Sequence, residues 1–595
     1  MSAIKLKIDG REVEVPEGST IMDAAGKAGS YVPALCHHPD LKPIGSCKLC
    51  IVSVEGMDSY PTACNTLAQA GMVVETRTEE LQEMRRHTLE MLLALTNHPT
   101  SCLFCERKDQ CGDLRECMRK FPVTVGCKYC PKDGRCELQE AVLFVGLKSI
   151  RYQIEFRNMP VLREPFFDRN YNLCIMCGRC VRTCQEVRGV GVLSTNPDFH
   201  RMHWIGPESL QNSECKFCGA CVDACPTGAL LSRSGKWIQP EDTVVTICPY
   251  CGVGCSLVLG VKEDLIVTVS PDRESPVNRG QLCVKGHFGL EEIVHHPDRL
   301  TRPLIKRAGK FEEASWEEAL DLIARRFSEI KDKYGPNSLG ALSSSRCTNE
   351  ENYLVSKLAR AAFGTNNVDN CARVCHAPSV TGLAACFGSG AATNSFDQIE
   401  DADVLLVIGS NTTEAHPIVS LKMIQAVSRG AKIIVADPRR IELVDMASIW
   451  LSLKPGTNIA LLNGMMNVIL NEGLEDRDFI ASRTEGFEEF RNTVMQYSPE
   501  RAAGITGVAA EYIIEAARLY ATGVMPLRGQ NNVQGACDMG ALPNAQVGYQ
   551  PVDDPGIKSK FEEAWKVQLP SSPGLTSTLM MERAREAISS IISEG

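Results

Sequence analysis

The sequence predicts a multidomain α/β protein in which cysteines organise the first half and alternating strands and helices form the second. Three observations support this prediction. The chain has 595 residues, a length typical of about three to five domains. Of its 28 cysteines, 23 precede residue 300. Residues 404–436 read as a buried strand, a helix and a second buried strand, which is the pattern of a parallel βαβ unit.

Composition and charge exclude several classes of protein. The net charge of -10 is small for this length, and Lys and Arg are spread along the chain, so a nucleic-acid-binding face is not expected. The first residues contain no apolar signal core and no twin arginine. No apolar run approaches the roughly 20 residues of a membrane span. We therefore expect a cytoplasmic protein with no transmembrane segment, whose cysteines bind metal.

The first cysteine group follows a predicted β-hairpin and a short helix. Apolar residues alternate with polar ones over residues 4–8 and 13–15, with a turn at Asp9-Gly10 between them. Residues 19–28 read as a helix. Together with the loop after them, these elements resemble a β-grasp [2Fe–2S] ferredoxin domain. The spacing is similar to that at the start of the complex I large subunit and of iron-only hydrogenases. The implied ligands are Cys36, Cys47, Cys50 and Cys64.

The second group contains a histidine and two similar cysteine triplets. The spacing H-x3-C-x2-C-x5-C occurs at His98, Cys102, Cys105 and Cys111, and it resembles the His-ligated [4Fe–4S] site of the complex I large subunit. Imidazole in place of thiolate tends to raise the reduction potential of a cluster. The cysteine part recurs at Cys127, Cys130 and Cys136, without a matching histidine. We assign Cys117 as the fourth ligand there. The alternative, that only one of these two units holds a cluster, stays open.

The third group is the most specific. The spacing C-x2-C-x2-C-x3-C occurs twice, at Cys174, Cys177, Cys180 and Cys184 and at Cys215, Cys218, Cys221 and Cys225. In two-cluster ferredoxins the fourth cysteine of each run binds the cluster of the other run. We therefore group Cys225 with the first three thiols of the first run, and Cys184 with those of the second. Zinc is the competing interpretation of C-x2-C pairs.

A fourth group completes the cysteine-rich half. It consists of Cys248, Cys251, Cys255 and Cys283. With His98, the 23 cysteines provide ligands for one [2Fe–2S] and five [4Fe–4S] clusters. Such clusters transfer single electrons, so a row of them predicts a redox reaction at one or both ends. Five cysteines remain, and they are Cys347, Cys371, Cys375, Cys386 and Cys537.

The second half shows helix and strand signals. Ser315 to Glu318 matches a capping box, and the helix behind it is expected to bury Leu320, Ile323, Phe327 and Ile330. Residues 404–408 and 432–436 read as buried parallel strands. Polar loops follow both strands, at the carboxyl ends where such sheets bind ligands. The alternative of a βαβ unit without a ligand stays open from the pattern alone.

Residues 244–595 resemble the catalytic subunit of molybdenum- or tungsten-dependent formate dehydrogenases, within the molybdopterin oxidoreductase superfamily. With its iron–sulfur arm, the whole chain is similar to the large subunit of cytoplasmic NAD-linked or hydrogenase-linked enzymes of this kind. The motifs on which the resemblance rests occur in the family's order. They lie at residues 248–255, 282–286, 371–376, 409–417 and 528–535.

The resemblance implies a role for individual residues. Cys375 matches the ligand of the metal, and His376 matches the adjacent active-site histidine. Arg528 matches the arginine that holds formate. An arginine suits this role because its guanidinium can form two parallel hydrogen bonds with a carboxylate. Gln530 belongs to the same motif, and Lys285 matches the lysine between the nearest cluster and the pterin. The residues implied to hold bis-molybdopterin guanine dinucleotide with Mo or W are Gly409, Asn411, Asp437, Arg439, Gly456 and Asn458.

The implied reaction is the reversible conversion of formate to CO2, two electrons and a proton. The electrons would leave through flavin- and Fe–S-containing NAD(H)-oxidising subunits or a hydrogenase subunit.

The sequence suggests five domains, which are a [2Fe–2S] ferredoxin-like domain, a His/Cys [4Fe–4S] domain, a two-[4Fe–4S] ferredoxin, a small [4Fe–4S] domain and an incomplete molybdopterin-binding α/β core. Their expected bounds are 1–80, 81–140, 141–240, 241–300 and 301–595.

The chain departs from the family pattern in two places. A predicted helix at residues 511–521 is followed almost directly by Arg528, where the family has a further segment. The family also continues beyond the position that matches Gly595. We therefore expect little formate activity from these residues alone. Two alternatives stay open: a non-catalytic electron-transfer subunit like that of complex I, and a related reductase such as periplasmic nitrate reductase. His376 favours formate.

Overall fold

The computed structural model describes residues 3–98, 103–104, 127, 130–194, 205–392 and 394–523. The chain divides into two compact units. The first comprises Met1–Cys248 and Gly254–Pro297, and the second comprises Pro249–Val253 and Asp298–Gly595. The mixed α/β, multidomain class predicted from the sequence is confirmed. The finer five-part division stays a prediction.

The first unit begins with a four-stranded sheet and a helix that packs on it. Strands β1 and β2 form the predicted hairpin, with Ile8 opposite Arg11 across the Asp9-Gly10 turn. Thr20 caps the helix through a reciprocal bond with Asp23. The strand order is β2-β1-β4-β3, with β4 parallel to β1. These elements are β1 (Ala3–Ile8), β2 (Arg11–Pro16), α1 (Ile21–Ala28), β3 (Ser53–Val54) and β4 (Val73–Glu75).

Two longer helices follow this sheet, α2 (Glu79–Ala94) and α3 (Glu137–Val145). Their apolar faces share one core, in which Leu89 and Leu93 pack with residues of α3 and with Leu49 of the first cysteine loop. Leu89 and Leu93 are fully buried. Burying such side chains stabilises the unit by about 1.5–3 kcal/mol each, so this core holds the first cysteine loop against the helices.

The next part of the unit contains the two long cysteine runs. It is built on a small antiparallel sheet and two short helices, with the strand order β5-β6-β7. Arg169 is fully buried and its Nε donates to Glu164 Oε1 at 2.9 Å. Tyr171 Oη donates to Ile205 O at 2.6 Å. The elements are β5 (Leu162–Arg163), β6 (Phe167–Arg169), α4 (Arg179–Arg182), α5 (Ala220–Asp223) and β7 (Leu230–Ser232).

A three-stranded antiparallel sheet and one helix complete the first unit. The strand order is β10-β9-β8. Leu257 on the central strand is fully buried, whereas the edge strand leaves Val245 64% exposed. The elements are β8 (Asp242–Ile247), β9 (Ser256–Lys262), β10 (Leu265–Pro271) and α6 (Val284–Val294).

The second unit opens with a hairpin and the predicted amphipathic helix. Two expectations for this helix are wrong: the burial of its first apolar residues and the complete capping box. Leu320 and Ile323 are 57% and 48% exposed, because only the carboxyl-terminal half of the helix packs on a core, where Phe327 contacts Phe363 at 5.1 Å between ring centroids. The capping box is half formed: Ser315 accepts from Glu318 N, but the Glu318 carboxylate pairs with Arg307 instead.

These elements lead to the cysteines of residues 371–375. Strands β13 and β14 are parallel neighbours, and α9 begins directly after β14. The elements are β11 (Leu304–Arg307), β12 (Lys310–Glu313), α7 (Trp316–Tyr334), β13 (Ala341–Ser343), α8 (Asn349–Lys357), β14 (Val368–Asn370), α9 (Ala372–Cys375) and α10 (Ala377–Phe387).

A three-stranded parallel sheet forms the rest of the second unit, with the order β15-β16-β17. The two predicted strands are present, and β17 adds a third that the sequence analysis did not identify. Helix α17 agrees with the predicted 511–521. The elements are β15 (Val404–Ile408), α11 (Thr412–Ala415), α12 (Pro417–Ser428), β16 (Lys432–Ala436), β17 (Ile449–Leu451), α13 (Asn458–Asn471), α14 (Arg477–Arg483), α15 (Phe487–Val494), α16 (Pro499–Thr506) and α17 (Ala510–Thr522).

The fold places polar loops at one edge of this sheet. Its core contains Ile434, Leu451 and Leu461, all fully buried. Helix α13 packs against α16 and α17 around this core. Because all three strands are parallel, their carboxyl ends meet at the same edge. Among the described residues, no helix is both long and apolar enough to cross a bilayer.

Candidate metal centres and active site

The four cysteines of the first group lie in loops around one site. Cys36, Cys50 and Cys64 are 1% exposed or less. Cys47 N donates to Cys36 Sγ at 3.4 Å, and Leu35 N donates to Cys47 Sγ at 3.5 Å. The hydrogen bond with the Cys47 thiol lowers the pKa of Cys36 to about 5. Backbone N–H groups that donate to the sulfur atoms of an iron–sulfur cluster tune its reduction potential.

Two residues fix the shape of this loop. Gly45 has a φ of +62°, and a Cβ there would lie 2.8 Å from Thr62 Oγ1, so the turn needs glycine. Arg85 of α2 is fully buried. Its Nε donates to Leu49 O at 3.0 Å and its Nη2 donates to Ile51 O at 2.7 Å. One guanidinium therefore holds the backbone on both sides of Cys50.

The two long runs exchange their fourth cysteines, as the predicted grouping requires. Cys225 lines one cavity with the first three thiols of the first run, together with Ile175 and Leu230. Burial raises the pKa of Cys174 to about 11 and that of Cys177 to about 12. Four thiols around an otherwise apolar cavity suit a [4Fe–4S] cluster, since thiolates are its ligands. The binding of iron itself stays a prediction.

The other four thiols of these runs also lie together. Cys184 interacts electrostatically with Cys215 and Cys221, and burial raises the pKa of Cys215 to about 11. Cys184 lies in a π-helical turn, Thr183–Val187, that follows α4; such turns are frequent at functional sites. Among the described residues, no three Cys, His, Asp or Glu side chains converge closely enough for a single metal ion. The thiols of Cys174, Cys177, Cys180 and Cys225 line a cavity instead.

The Cys127 group adjoins this ferredoxin part. Cys130 N donates to Cys127 O at 2.9 Å, and Cys136 is the N-cap residue of α3. Burial raises the pKa of Cys136 to about 11. A Cβ on Gly228 would lie 3.0 Å from Cys130 Sγ, so the loop after Cys225 approaches this thiol closely.

His98 is held by the backbone beside Cys174. Its Nε2 lies 2.7 Å from Leu173 O. A carbonyl only accepts, so Nε2 is the protonated nitrogen and the Nδ1 lone pair is left for a metal. Burial lowers the pKa of His98 to about 4, which keeps the ring neutral near pH 7, as a ligand must be. Asn97 N also donates to Asn172 O at 3.0 Å.

Three cysteines of the last group lie in the connection between β8 and β9, and the fourth directly precedes α6. Cys248 N donates to Cys255 O at 2.8 Å, and Cys283 is the N-cap residue of α6. Cys251 falls in the 249–253 segment of the second unit. Lys285 is exposed in the first turn of α6. Buried His287, two residues further, has its Nε2 2.9 Å from Asp223 Oδ1, which connects α6 to the helix of Cys221.

In the second unit, Cys375 and His376 end the short helix α9 and are both exposed. The turn before them is fixed by local bonds. Asn370 Oδ1 accepts from Ala372 N at 2.8 Å, and Arg373 Nε donates to Asp369 Oδ2 at 2.7 Å. Strand β14 therefore delivers a thiol and an imidazole, adjacent in sequence, at the surface of this unit. A thiolate there suits a soft metal.

The predicted pterin residues follow the three strands of the parallel sheet. Gly409 comes after β15 and its N–H donates to Ala436 O at 3.0 Å. Buried Asp437 accepts from Arg439 N at 2.8 Å, and the Arg439 side chain is 73% exposed. Asn411 begins α11. Gly456 lies between β17 and α13, and Asn458 is the first residue of α13. Exposed glycines and an arginine at one carboxyl edge suit a nucleotide's phosphates.

Some predicted site residues lie outside the residues that the structure describes. These are Cys102, Cys105, Cys111, Cys117, Arg528 and Gln530.

Comparison with known proteins identifies the family. The molybdopterin oxidoreductase domain matches residues 299–586, and its Fe4S4 domain matches residues 241–295. A 2Fe-2S iron–sulfur cluster binding domain matches residues 1–79. The ferredoxin-like domain of NADH-quinone oxidoreductase subunit 3 matches residues 164–231. The chain belongs to the molybdopterin oxidoreductases.

Curated relatives of this molybdopterin oxidoreductase include formate dehydrogenases. The F420-dependent formate dehydrogenase subunit alpha of Methanocaldococcus jannaschii is 46% identical over 58% of this chain and 56% of its own length. The probable oxidoreductase YjgC of Bacillus subtilis is 32% identical over 97% of this chain and 64% of its own. The putative formate dehydrogenase YrhE of Bacillus subtilis is also 32% identical, over 98% and 66%.

The chain thus spans 56–66% of the length of these relatives. The alignment with YjgC runs over 665 positions, more than the 595 residues of this chain. The relative therefore has internal residues with no counterpart here, in line with the predicted internal shortening.

Sequence reasoning missed several residues that shape these sites. Arg85, Glu137, Arg179 and His287 all contact cysteine loops. Their partners are distant in sequence, so no spacing pattern identifies them.

We predict that His98→Cys leaves the iron content unchanged and lowers one reduction potential, because a thiolate adds negative charge that imidazole lacks. An anaerobic redox titration followed by electron paramagnetic resonance measures this. His87→Cys, the same change eleven residues upstream on α2, should leave every potential in place. A His98→Cys titration that overlays the wild type would contradict the assignment.

Proposed function

We propose that this chain is the catalytic subunit of a molybdenum- or tungsten-dependent formate dehydrogenase that passes electrons through a row of clusters to a partner. The observation that supports it most is the exposed Cys375-His376 pair after β14, in the same unit as a glycine- and arginine-containing carboxyl edge. Relatives named formate dehydrogenase share 32–46% of their aligned residues with it.

The cofactors follow from the donor sets. We assign bis-molybdopterin guanine dinucleotide with Mo or W to the second unit, and one [2Fe–2S] and five [4Fe–4S] clusters to the cysteine groups. When bound, these groups supply the redox chemistry that removes two electrons from formate and delivers them singly. The loops after β15, β16 and β17 would hold the dinucleotide, through Asn411, Asp437 and Arg439 in particular.

The chain's own residues position the substrate and the proton. Arg528 would hold the formate carboxylate through two parallel hydrogen bonds. His376 would accept the proton released with CO2 or return it in the reverse direction, because an imidazole can act as either base or acid. Cys375 would bind the metal through its thiolate. Gln530 would lie near the substrate. Lys285 would lie between the pterin and the nearest cluster.

The cluster count predicts about 22 iron atoms per chain after anaerobic reconstitution, since [2Fe–2S] and [4Fe–4S] clusters contain two and four each. Iron and sulfide analysis measures this. About 18 would mean that only one of the units around His98 and Cys127 holds a cluster. A much lower value would contradict the ligand assignment as a whole.

We expect Cys375→Ala, in the enzyme purified with its native associates, to lose formate oxidation almost completely and to keep its iron content. Arg528→Lys should raise KM for formate far more than it lowers kcat, because an ammonium cannot form the bidentate contact. Dye-linked steady-state kinetics measure both. Cys386→Ala, which changes another exposed thiol of the same unit, is the control. A wild-type preparation with full molybdenum or tungsten and no formate oxidation would favour a non-catalytic electron-transfer subunit.

The electron acceptor belongs to a partner of the cytoplasm. The match to a domain of NADH-quinone oxidoreductase subunit 3 supports a flavin- and Fe–S-containing NAD(H)-oxidising subunit, docked on the first 140 residues, with a hydrogenase subunit as the alternative. The name of the Methanocaldococcus relative adds F420 as a further acceptor to test.

We predict that the isolated chain does not reduce NAD+ with formate, and that the enzyme purified together with its partner subunit does. Absorbance assays with NAD+ and F420 in parallel measure this. NAD+ reduction by the chain alone would contradict a separate partner, and reduction of F420 only would replace the NAD-linked assignment.

A further inference from the structure

Arg179 lies between two predicted cluster ligands and inside the protein. It occupies the spacer between Cys177 and Cys180 and is the first residue of α4. It is 3% exposed. A guanidinium is always charged and is rarely buried unless it is paired. A permanent positive charge beside cysteine thiols, shielded from water, therefore calls for an explanation.

The Arg179 side chain contacts the loops of three cysteine groups. Its Nη1 donates to Glu137 Oε1 and its Nη2 to Glu137 Oε2, both at 2.7 Å. Glu137 directly follows Cys136. Nη2 also donates to Ala34 O at 3.4 Å, two residues before Cys36. Glu137 N in turn donates to Pro226 O at 3.0 Å, and Pro226 directly follows Cys225.

One donor of Arg179 is left without a partner. Its Nε is buried and has no hydrogen-bond acceptor in the protein. A buried N–H without an acceptor is unfavourable. Arg179 interacts electrostatically with Cys177 and Cys225, two of the thiols that line the ferredoxin cavity. We infer that the sulfur of a bound cluster, or of one of these cysteine ligands, accepts from this N–H.

We propose that Arg179 is a positioning residue that raises the reduction potential of the cluster held by Cys174, Cys177, Cys180 and Cys225. The inference rests on the proposed binding of clusters. Reduction adds a negative charge to a cluster, and a nearby buried positive charge stabilises that state; a hydrogen bond from Arg179 Nε to sulfur would act in the same direction. The same guanidinium joins the Cys36, Cys136 and Cys177 loops, so it also fixes the distances between neighbouring clusters.

Glu137 does not cancel this effect. The Arg179 side chain is 4% exposed, whereas that of Glu137 is 43% exposed. Water screens the carboxylate more strongly than the guanidinium. The positive member of the pair therefore dominates at the buried cavity. Removal of the Arg179 charge should therefore lower the reduction potential of the cluster, and removal of the Glu137 charge should raise it.

The test compares Arg179→Gln and Glu137→Gln in the full chain, reconstituted anaerobically and titrated with detection by electron paramagnetic resonance. Arg179→Gln should lower the midpoint potential of one [4Fe–4S] cluster by at least a tenfold change in its redox equilibrium, or about 59 mV for one electron. Glu137→Gln should shift the same potential upward and by less, because it leaves the guanidinium uncompensated. Arg179→Lys should restore part of the lost potential.

Arg135→Gln is the matched control. Arg135 also adjoins Cys136, but it is exposed, so its loss should shift no potential by a comparable amount. A merely structural role predicts that both changes at the pair move the potential in the same direction, since both break one ion pair. That result, or an unchanged potential in Arg179→Gln with full iron content, would overturn the inference. If Arg179→Gln does not retain iron, the opposite shifts of Glu137→Gln and Arg179→Lys decide. A wild-type chain that binds no iron would overturn cluster binding itself, and this inference with it.

Discussion

Burial of several thiols in one small space is the constraint on which the first unit depends. Cys50 and Cys64 are fully buried, and Cys174 and Cys225 are nearly so. A thiolate in such a place is unfavourable without a cation, and burial accordingly raises the pKa of Cys174 and Cys177. Metal binding removes this cost by displacing the protons. The free energy of binding of the proposed clusters would therefore be part of the free energy of folding of this unit.

Neighbouring modules complete each other's cysteine loops. Arg85 of α2 holds the backbone around Cys50, Leu173 O orients His98, and Asp223 orients His287 next to Cys283. Each loop thus takes part of its shape from another segment of the chain. Clusters bound in these loops would be held at fixed distances from one another, which favours single-electron transfer. The rigid packing and the redox role have the same structural cause.

The sequence was sufficient wherever the relevant information is local. The hairpin turn at Asp9-Gly10 follows from a local turn signal, and strands β15 and β16 follow from short apolar runs. The grouping of Cys184 and Cys225 follows from the repeated cysteine spacing and its similarity to two-cluster ferredoxins. The exposure of Leu320 and Ile323 could not be predicted, because an amphipathic pattern shows which face is apolar but not what covers it. Strand β17 has only three residues. The Arg179–Glu137 pair joins residues 42 positions apart, and charged residues usually indicate surface.

The exchange of the fourth cysteines has a topological consequence. Cys184 belongs to the first run in sequence and to the second in space, and Cys225 does the opposite. Two bound clusters would close overlapping loops of the chain, as a pair of interlaced disulfides does, and so restrict the unfolded ensemble. Loss of either cluster would free one thiol of the cysteine run that anchors the other. Assembly of the two clusters would then be coupled, because each holds one cysteine of the run that binds its neighbour.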